Sequence, residues 1–427
     1  MTHEGMRPTR VRHIVLWVTV AAYMITYMDR VVIASAVPTI QKDLGFSLVT
    51  MGWILSAFRW GYALFQIPAG WLSDRIGPHR AMGLIVTAWS VFTSATALSW
   101  NAASMAVLRF LFGAGEAGAF PTATRSLSRW MLPAERGYAQ GLTHAGSRLG
   151  AAITPPLAVF LIAAYGWRAA FMAFGALGIG WAAFWFRWYR NTPQEHTWVN
   201  AAERELIRSS LGAFRSATSR SVPWAKILCD SNLWVLSLMY FCYGYVISVY
   251  LDWFPKYLND HRGFDLKQMG LYASLPLLAG AFGDLIGGWL SDIRSRRSGD
   301  LRGARRIVGV TGFLLSAATI LPATFTGSSV ACVWYTCLAV FALELTVGVS
   351  WAIPLDIGGD YAGSVSAVMN MCGNVGGALS PTILAYTVRA YGWELPFVFA
   401  SFLCLVAAVL FSRIDASRSI AFAKVNQ

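Results

Sequence analysis

Charge is what this chain has least of. Only 13% of its 427 residues are Asp, Glu, Lys or Arg, whereas a soluble domain carries about a quarter. So few charges cannot clothe a water-exposed surface of this size. Acidic residues are scarcer still, 21 against 34 Lys and Arg. The six histidines are scattered, and His144 alone stands well inside an apolar segment, so neither a metal site nor a histidine-centred catalytic cluster is legible. Cys229, Cys242, Cys332, Cys337, Cys372 and Cys404 show neither zinc nor redox spacing and mostly lie in apolar stretches, where they read as small core residues. No glycine-rich motif is followed by Lys-Ser or Lys-Thr, so ATP-driven chemistry has no support. The glycines around Gly146 and Gly150, and around Gly373, Gly376 and Gly377, read as close-packing or hinge features. The first apolar segment lacks a small-residue cleavage site and reads as a retained span. An intramembrane enzyme would need His, Cys or Asp gathered on one cavity, and the pattern does not supply them.

What is abundant is apolar surface: 56% hydrophobic and 14% aromatic residues. Runs of roughly 18 to 25 apolar residues, long enough to span a bilayer, begin near residues 14, 48, 80, 102, 137, 167, 232, 268, 305, 330, 361 and 393. The expectation is an all-α polytopic membrane protein with twelve transmembrane helices. The formal net charge of +13 could suggest nucleic acid, but the basic residues fall in alternate loops. One set of loops holds Arg7, Arg10 and Arg12, then Arg75 and Arg80, Arg129 and Arg136, Arg187 to Lys226, Arg294 to Arg306, and Arg413 to Lys424. Placing that set inside puts both termini in the cytoplasm. Two loops fit less well: the one near Asp356 and Asp360 has no Lys or Arg, and the opposite-side loop from Lys256 to Lys267 has three.

A basic segment near the middle divides the chain, and the parts on either side repeat. Gly70-Trp71-Leu72-Ser73-Asp74 recurs as Gly288-Trp289-Leu290-Ser291-Asp292. Tyr165-Gly166-Trp167 recurs as Tyr391-Gly392-Trp393, and Gly150 and Pro155 recur as Gly376 and Pro381, both at one common offset. That second offset is larger than the first by eight. One eight-residue insertion between Ser291 and Arg306 reconciles the two. The predicted organisation is a cytoplasmic segment 1–13, a six-helix bundle 14–189, a cytoplasmic linker 190–230, a second six-helix bundle 231–412 and a tail 413–427. Two parallel repeats joined by a linker suit a transporter whose halves rock about a site at mid-membrane.

At this point the chain resembles the major facilitator superfamily over essentially its whole length. Gly70-Trp71-Leu72-Ser73-Asp74-Arg75-Ile76-Gly77, closing with Arg80, is similar to that superfamily's loop signature between helices 2 and 3. Asp74, Arg75, Arg80 and the second-half Asp292 then read as a conformational latch of salt bridges, the alternative being a substrate contact. In the second copy Gly77 has no clear counterpart.

Some charges lie inside the apolar runs. Tyr27-Met28-Asp29-Arg30 stands about two-thirds along the first. In the fourth, Arg109 and Glu116 are seven residues apart and share a face, about two turns and roughly 10 Å from each other. Gly113, Gly115 and Gly118 on that segment allow close helix approach. Mutual neutralisation is the plain reading, but apolar packing would serve structure without the desolvation cost. A functional reading is that a buried carboxylate beside an arginine changes its hold on a proton when the arginine turns to a substrate anion.

Together, Tyr27-Met28-Asp29-Arg30, Gln66-Ile67-Pro68-Ala69-Gly70 and Glu116-Ala117-Gly118-Ala119-Phe120-Pro121 resemble the anion:cation symporters of that superfamily, which include galactonate, glucarate and hexuronate transporters and, more distantly, sialin and the vesicular glutamate transporters. The resemblance implies proton coupling at Asp29 and Glu116 and substrate binding at Tyr27, Arg30, Tyr62, Arg109, Trp351 and Asn370. Ser147 replaces a substrate-contacting glutamine of the galactonate type, and Gly348 replaces a serine, departures that argue against galactonate itself. Arg59, Ser147, Arg148 and Tyr243 are further candidates for substrate contact: Arg59 stands one helical turn before Tyr62, and for Arg148 an interhelical salt bridge is the alternative. Asp252, before Pro255, reads as a gate contact, and Glu344 as either a pairing or a substrate acid. Many of the tyrosines and tryptophans also suit an interfacial belt.

The implied function is proton-coupled import of a small organic anion, such as an aldonate, aldarate or hexuronate, across the bacterial inner membrane. Aromatic carboxylates, export, or sensing without transport are the alternatives; exporters of this superfamily carry a Gly-Pro pair in helix 5, and here Pro155-Pro156 follows Gly150 at a distance. The expected partners are the small organic anion and the lipid bilayer, with no nucleic acid. The expected coupling ion is the proton, with no other cofactor and no metal, and the chain is expected to be a monomer.

Overall fold

The computed structural model describes residues 7–132, 135–212, 224–358, 362–418 and 420. Every regular element among them is helical. The first half holds α1 (Val11–Leu44), α2 (Leu48–Thr96), α3 (Ala102–Glu116), α4 (Ala119–Trp130) and α5 (Arg136–Trp188). Between the halves lie α6 (Ala201–Gly212) and α7 (Trp224–Leu228). The second half holds α8 (Ser231–Ser248), a π turn (Val249–Trp253), α9 (Phe254–Asp260), α10 (Leu266–Ser298), α11 (Leu301–Phe325), α12 (Ser329–Gly358), α13 (Ala362–Tyr391) and α14 (Glu394–Arg413).

These elements make twelve spans among the described residues. α2 and α5 each carry two spans, broken at Gly77 (φ 77°, ψ 159°) and Gly166 (φ 83°, ψ 163°), conformations that glycine alone adopts without strain. α3 and α4 together form span 4, and α8, the π turn and α9 form span 7. Polar caps mark where several helices begin: Asn101 with Ser104 at α3, Asp230 at α8, Asp265 with Gln268 at α10 and Asp300 at α11. Each cap side chain accepts a backbone N–H that the first helical turn leaves unbonded. By length and composition alone, seven of the described helices are apolar enough to cross a bilayer. Span 1 is among them although it carries Asp29 and Arg30, and span 4 is not, because its two helices, α3 and α4, are only 15 and 12 residues long.

The internal repeat extends to backbone geometry. Gly166 and its repeat mate Gly392 share a positive φ, 83° and 84°. Gly299 (φ 68°) closes α10 in the left-handed conformation, and so supplies the turn glycine that has no counterpart when the copies are aligned by sequence. It lies eight residues after Ser291, whereas Gly77 lies four after Ser73, and seven residues before Arg306, whereas Gly77 lies three before Arg80. The eight-residue insertion is therefore four residues on each strand of a helical hairpin, about one extra turn on α10 and one on α11.

The chain forms two compact units. The first comprises Met1–Val32, Trp60–Ala151 and Ala164–Arg220. In it Glu203 of α6 caps the start of α1. Its carboxylate oxygens accept from the Val11 and Arg12 backbone N–H groups, each at 3.2 Å, and from the Arg12 guanidinium at 3.1 Å, while Arg12 Nε donates to Glu135 at 3.1 Å. A carboxylate at a helix N-terminus is favoured by the helix dipole. Beside it, Trp181, Trp185 and Tyr189 stack in a ladder, with centroids 5.0 and 3.8 Å apart. His196 is buried among Trp130, Trp188 and Trp198, whose rings stand 5.6, 4.9 and 6.0 Å away.

The second unit comprises Ile33–Arg59, Ala152–Ala163 and Ser221–Gln427, so the ends of spans 1, 2 and 5 remote from the N-terminus pack with the second half. Two contacts there are copies of each other. A β-carbon at Gly52 would stand 2.8 Å from Pro381 O and from Ala385 Cβ; one at Gly270 would stand 3.1 Å from Pro155 O and 2.8 Å from Val159 Cγ2. Gly52 and Gly270 are related by the same offset as the two Gly-Trp-Leu-Ser-Asp copies, and Pro155 with Val159 by the other offset to Pro381 with Ala385. Each glycine takes the facing backbone into the space its side chain leaves.

Candidate functional site

In the first unit the four predicted charges come together. Arg30 donates from Nε to Glu116 Oε1, and its guanidinium makes an ion pair with the same carboxylate. Three rings surround that guanidinium: Tyr62 at 4.7 Å, Tyr27 at 5.1 Å and Phe120 at 5.7 Å from carbon to centroid. Such contacts stabilise an arginine away from bulk water. Asp29, the next residue back and about 100° around the helix, has Glu116, Trp89 and Arg109 as its electrostatic neighbours. Arg109 lies over the Phe112 ring at 4.5 Å. Asp29 and Glu116 have no exposed surface and Arg109 1%. Two acids and two bases leave the set formally neutral, which offsets a desolvation cost of several kcal/mol per ion. Arg30 keeps 19% of its side chain exposed, so it is the member of the set that a solute can reach.

Span 4 is shaped to present this set. Glu116 is the last residue of α3, and α4 restarts at Ala119. At the junction, a β-carbon on Gly118 would meet Ala69 Cβ at 2.9 Å and one on Gly115 would meet the Trp89 backbone N at 3.3 Å. The close approach of the chain around Ala69 and Trp89 fixes the depth of the carboxylate. Ser147 donates to the His144 carbonyl of its own helix at 2.7 Å, and Arg148 is half-buried on the same helix.

The second unit carries an aromatic set. Trp351 Nε1 donates to the Tyr240 hydroxyl at 2.8 Å, Tyr240 stacks on Tyr243 with centroids 5.0 Å apart, and the Tyr243 hydroxyl donates to Glu344 at 2.9 Å. Glu344 is buried. Asn370 lies on α13 one turn before Gly373, which packs against the Tyr240 ring. Arg59 is paired with Asp252: its Nε and an Nη donate to Asp252 Oδ2 at 3.3 and 2.8 Å. Asp252 sits in the π turn, one turn ahead of Pro255, whose missing N–H interrupts the helical ladder.

Of the predicted latch, Arg75 and Arg80 are exposed and the Asp74 side chain lies outside the described set. In the second half Arg305 gathers the partners, with Asp292 at 2.8 Å, Ser291 at 3.0 Å and Asp356 at 3.2 Å. Sequence reasoning assigned no role to Phe120, Trp89, Tyr240 as a hydrogen-bond partner, or Arg305. Phe120 stands within the span 4 motif, and the repeat offset pointed to Arg306, one residue from the arginine the structure uses.

The family model of the Major Facilitator Superfamily matches residues 19–381. Among curated proteins, the chain is 41% identical to a probable sulfoacetate transporter of Cupriavidus necator, covering 94% of this chain and 93% of that protein. It is 31% identical to the hexuronate transporter of Bacillus subtilis over 87% of this chain and 86% of that protein. To the D-galactonate transporter of an Escherichia coli strain it is 29% identical, over 95% and 96%. Among solved structures, a bacterial homologue of the human lysosomal transporter Spinster, in an inward-facing unoccupied conformation, superposes with a TM-score of 0.78 at 18% identity, covering 96% of this chain and 98% of that one.

Proposed function

The chain belongs to the Major Facilitator Superfamily, a multi-pass membrane transporter and not an enzyme, and from that premise we propose that it imports a small organic anion together with protons. The observation that carries the reading is the Arg30–Glu116 pair, in which the cation is part-exposed and the acid is wholly buried. Protonation of Glu116 and Asp29 from the outside face removes the negative charge that holds Arg30. Arg30 then takes the acid group of the substrate, and Tyr27 and Tyr62 offer hydroxyls alongside. After the halves rock, loss of the protons to the cytoplasm restores the Arg30–Glu116 pair and expels the anion. The basic loops, with both termini, face the cytoplasm of a plasma membrane.

A sugar acid is the substrate favoured by the motifs of span 1 and span 4 and by the hexuronate and galactonate relatives. A short sulfonated acid is the second reading. It is favoured by the 41% identity to the probable sulfoacetate transporter and by Ser147 and Gly348, small groups that leave fewer hydrogen bonds for a polyol.

Uptake into proteoliposomes tests both. An inward proton gradient is expected to drive accumulation of a hexuronate, an aldonate or sulfoacetate, with alkalinisation of the outside medium. Asp29→Asn is expected to abolish that accumulation; full gradient-driven uptake by this variant would overturn the role of Asp29. In a thermal-shift panel, charged acids are expected to stabilise the protein. A shift with uncharged sugars alone would remove Arg30 from the site.

A further inference from the structure

The extra turn on α10 carries charge that the transport reading does not use. In the hairpin it forms with α11, Arg302 pairs with Asp415 at 2.9 Å, Arg305 with Asp292 and Asp356, and Arg306 donates to the Ile414 carbonyl at 3.4 Å. Arg294, Arg296 and Arg297 are exposed and enter no ion pair among the described residues. Their position on the helix points to an occupant. Phe282, Leu285 and Trp289 are 57%, 55% and 62% exposed, and at spacings of three and four residues they form one face of a membrane-spanning helix, which lipid covers. Arg296 lies seven residues past Trp289, two turns on, and continues that same face, with Arg297 about 100° further round at its edge. An exposed tryptophan marks the membrane–water interface. Arg296 lies two turns beyond it, about 10 Å along the axis, and a long side chain can bend back to the level of lipid phosphates.

We propose that the end of α10 is a binding site for anionic phospholipid headgroups, with Arg296 and Arg297 holding phosphate through their planar guanidinium donors and Arg294 adding to the local positive charge. The lipid stripe beneath the arginines selects this occupant over a soluble acidic partner, because acyl chains lie against the same face of the helix. Arginine suits phosphate through its forked donors, and clusters of basic residues at the cytoplasmic end of a span recognise anionic lipid. The extra turn lifts the cluster beyond the depth reached by the equivalent loop of the first half, so the site belongs to one repeat only.

The test uses the full chain purified in a neutral detergent. Phosphatidylglycerol in mixed micelles is expected to raise the apparent Tm more than phosphatidylcholine does, and high salt is expected to shrink the difference. The variant R296Q/R297Q is expected to keep the Tm of the lipid-free protein, lose most of the phosphatidylglycerol increment, and retain fewer phosphatidylglycerol molecules in native mass spectrometry. Three results would overturn the proposal: an undiminished increment in the variant, an equal increment with phosphatidylcholine, or an equal increment with glycerol 3-phosphate alone, which would make the cluster a soluble-anion site.

Discussion

Arg30 and Arg109 sit among different neighbours, and the difference sets what each can do. Arg109 is sealed over Phe112, whereas Arg30 is partly exposed within its ring of aromatics. Adjacent Asp29 and Arg30 were legible because an acid and a base stand out in an apolar run, and Arg109 with Glu116 because seven residues return a helix to the same face. The partners of Arg59 were not legible: Asp252 lies 193 residues away, and neither residue carries a local signal of the other. That pair gives a direct test. Asp252→Asn or Arg59→Gln removes one member of a part-buried ion pair, and the loss expected is about 2 kcal/mol, below the usual 3–5 for a fully buried pair because the side chains keep 15% and 13% exposure. The double variant is expected to lose less than the sum of the singles by about 1 kcal/mol, as contacting residues do, read from thermal unfolding in detergent. Strict additivity would mean that the pair contributes nothing.

At the scale of elements, α6 does more than connect the halves. Through Glu203 it caps α1, and ahead of it His196 fills a box of tryptophans with its Nδ1 accepting from the Trp198 N–H at 3.2 Å. Burial, with Arg190 nearby, holds the His196 imidazole below its ordinary value. The unfolded segment therefore binds a proton more readily than the folded one, so stability is fully present above about pH 6.5, the ordinary histidine value, and is lost as pH falls below it. Hydrogen exchange of Ala201–Gly212 is expected to quicken between pH 7.5 and 5.5 in the parent chain and to change less in His196→Phe, after correction for intrinsic exchange. The basic character of this segment was legible from composition. Its helix and its cap were not, because Glu203 reads as one more surface charge until Thr9, Val11 and Arg12 are brought to it.

Over the whole molecule the repeat made the fold legible. Start points read from apolar runs fall close to the twelve observed spans, and the Tyr-Gly-Trp copies place two positive-φ glycines, Gly166 and Gly392, at equivalent points of the two halves. What repetition at the level of letters concealed was the hairpin glycine, since Gly299 falls at neither offset once four residues are added on each side. The same symmetry makes a prediction in pairs. Gly52→Val and Gly270→Val each push a side chain into a facing proline carbonyl and its neighbour, and each is expected to lower stability by about 1–3 kcal/mol, the usual penalty of overpacking. Matched losses in apparent Tm would follow from matched contacts. A loss at one position and none at the other would break the equivalence.

The Arg30–Glu116 pair also bears on how the protein is made. Span 1 leaves the ribosome with Asp29 and Arg30 already in it, while Glu116 follows 86 residues after Arg30. At roughly 5–20 residues per second, that interval is about 4 to 17 seconds. For that time two charges lie in a segment bound for hydrocarbon, each unfavourable there by about 3 kcal/mol on insertion scales. The first helix is thus a poor substrate for release into lipid alone, and the insertion machinery must shelter it until span 4 arrives. Assembly of the first bundle is in this way ordered by the chemistry of one ion pair.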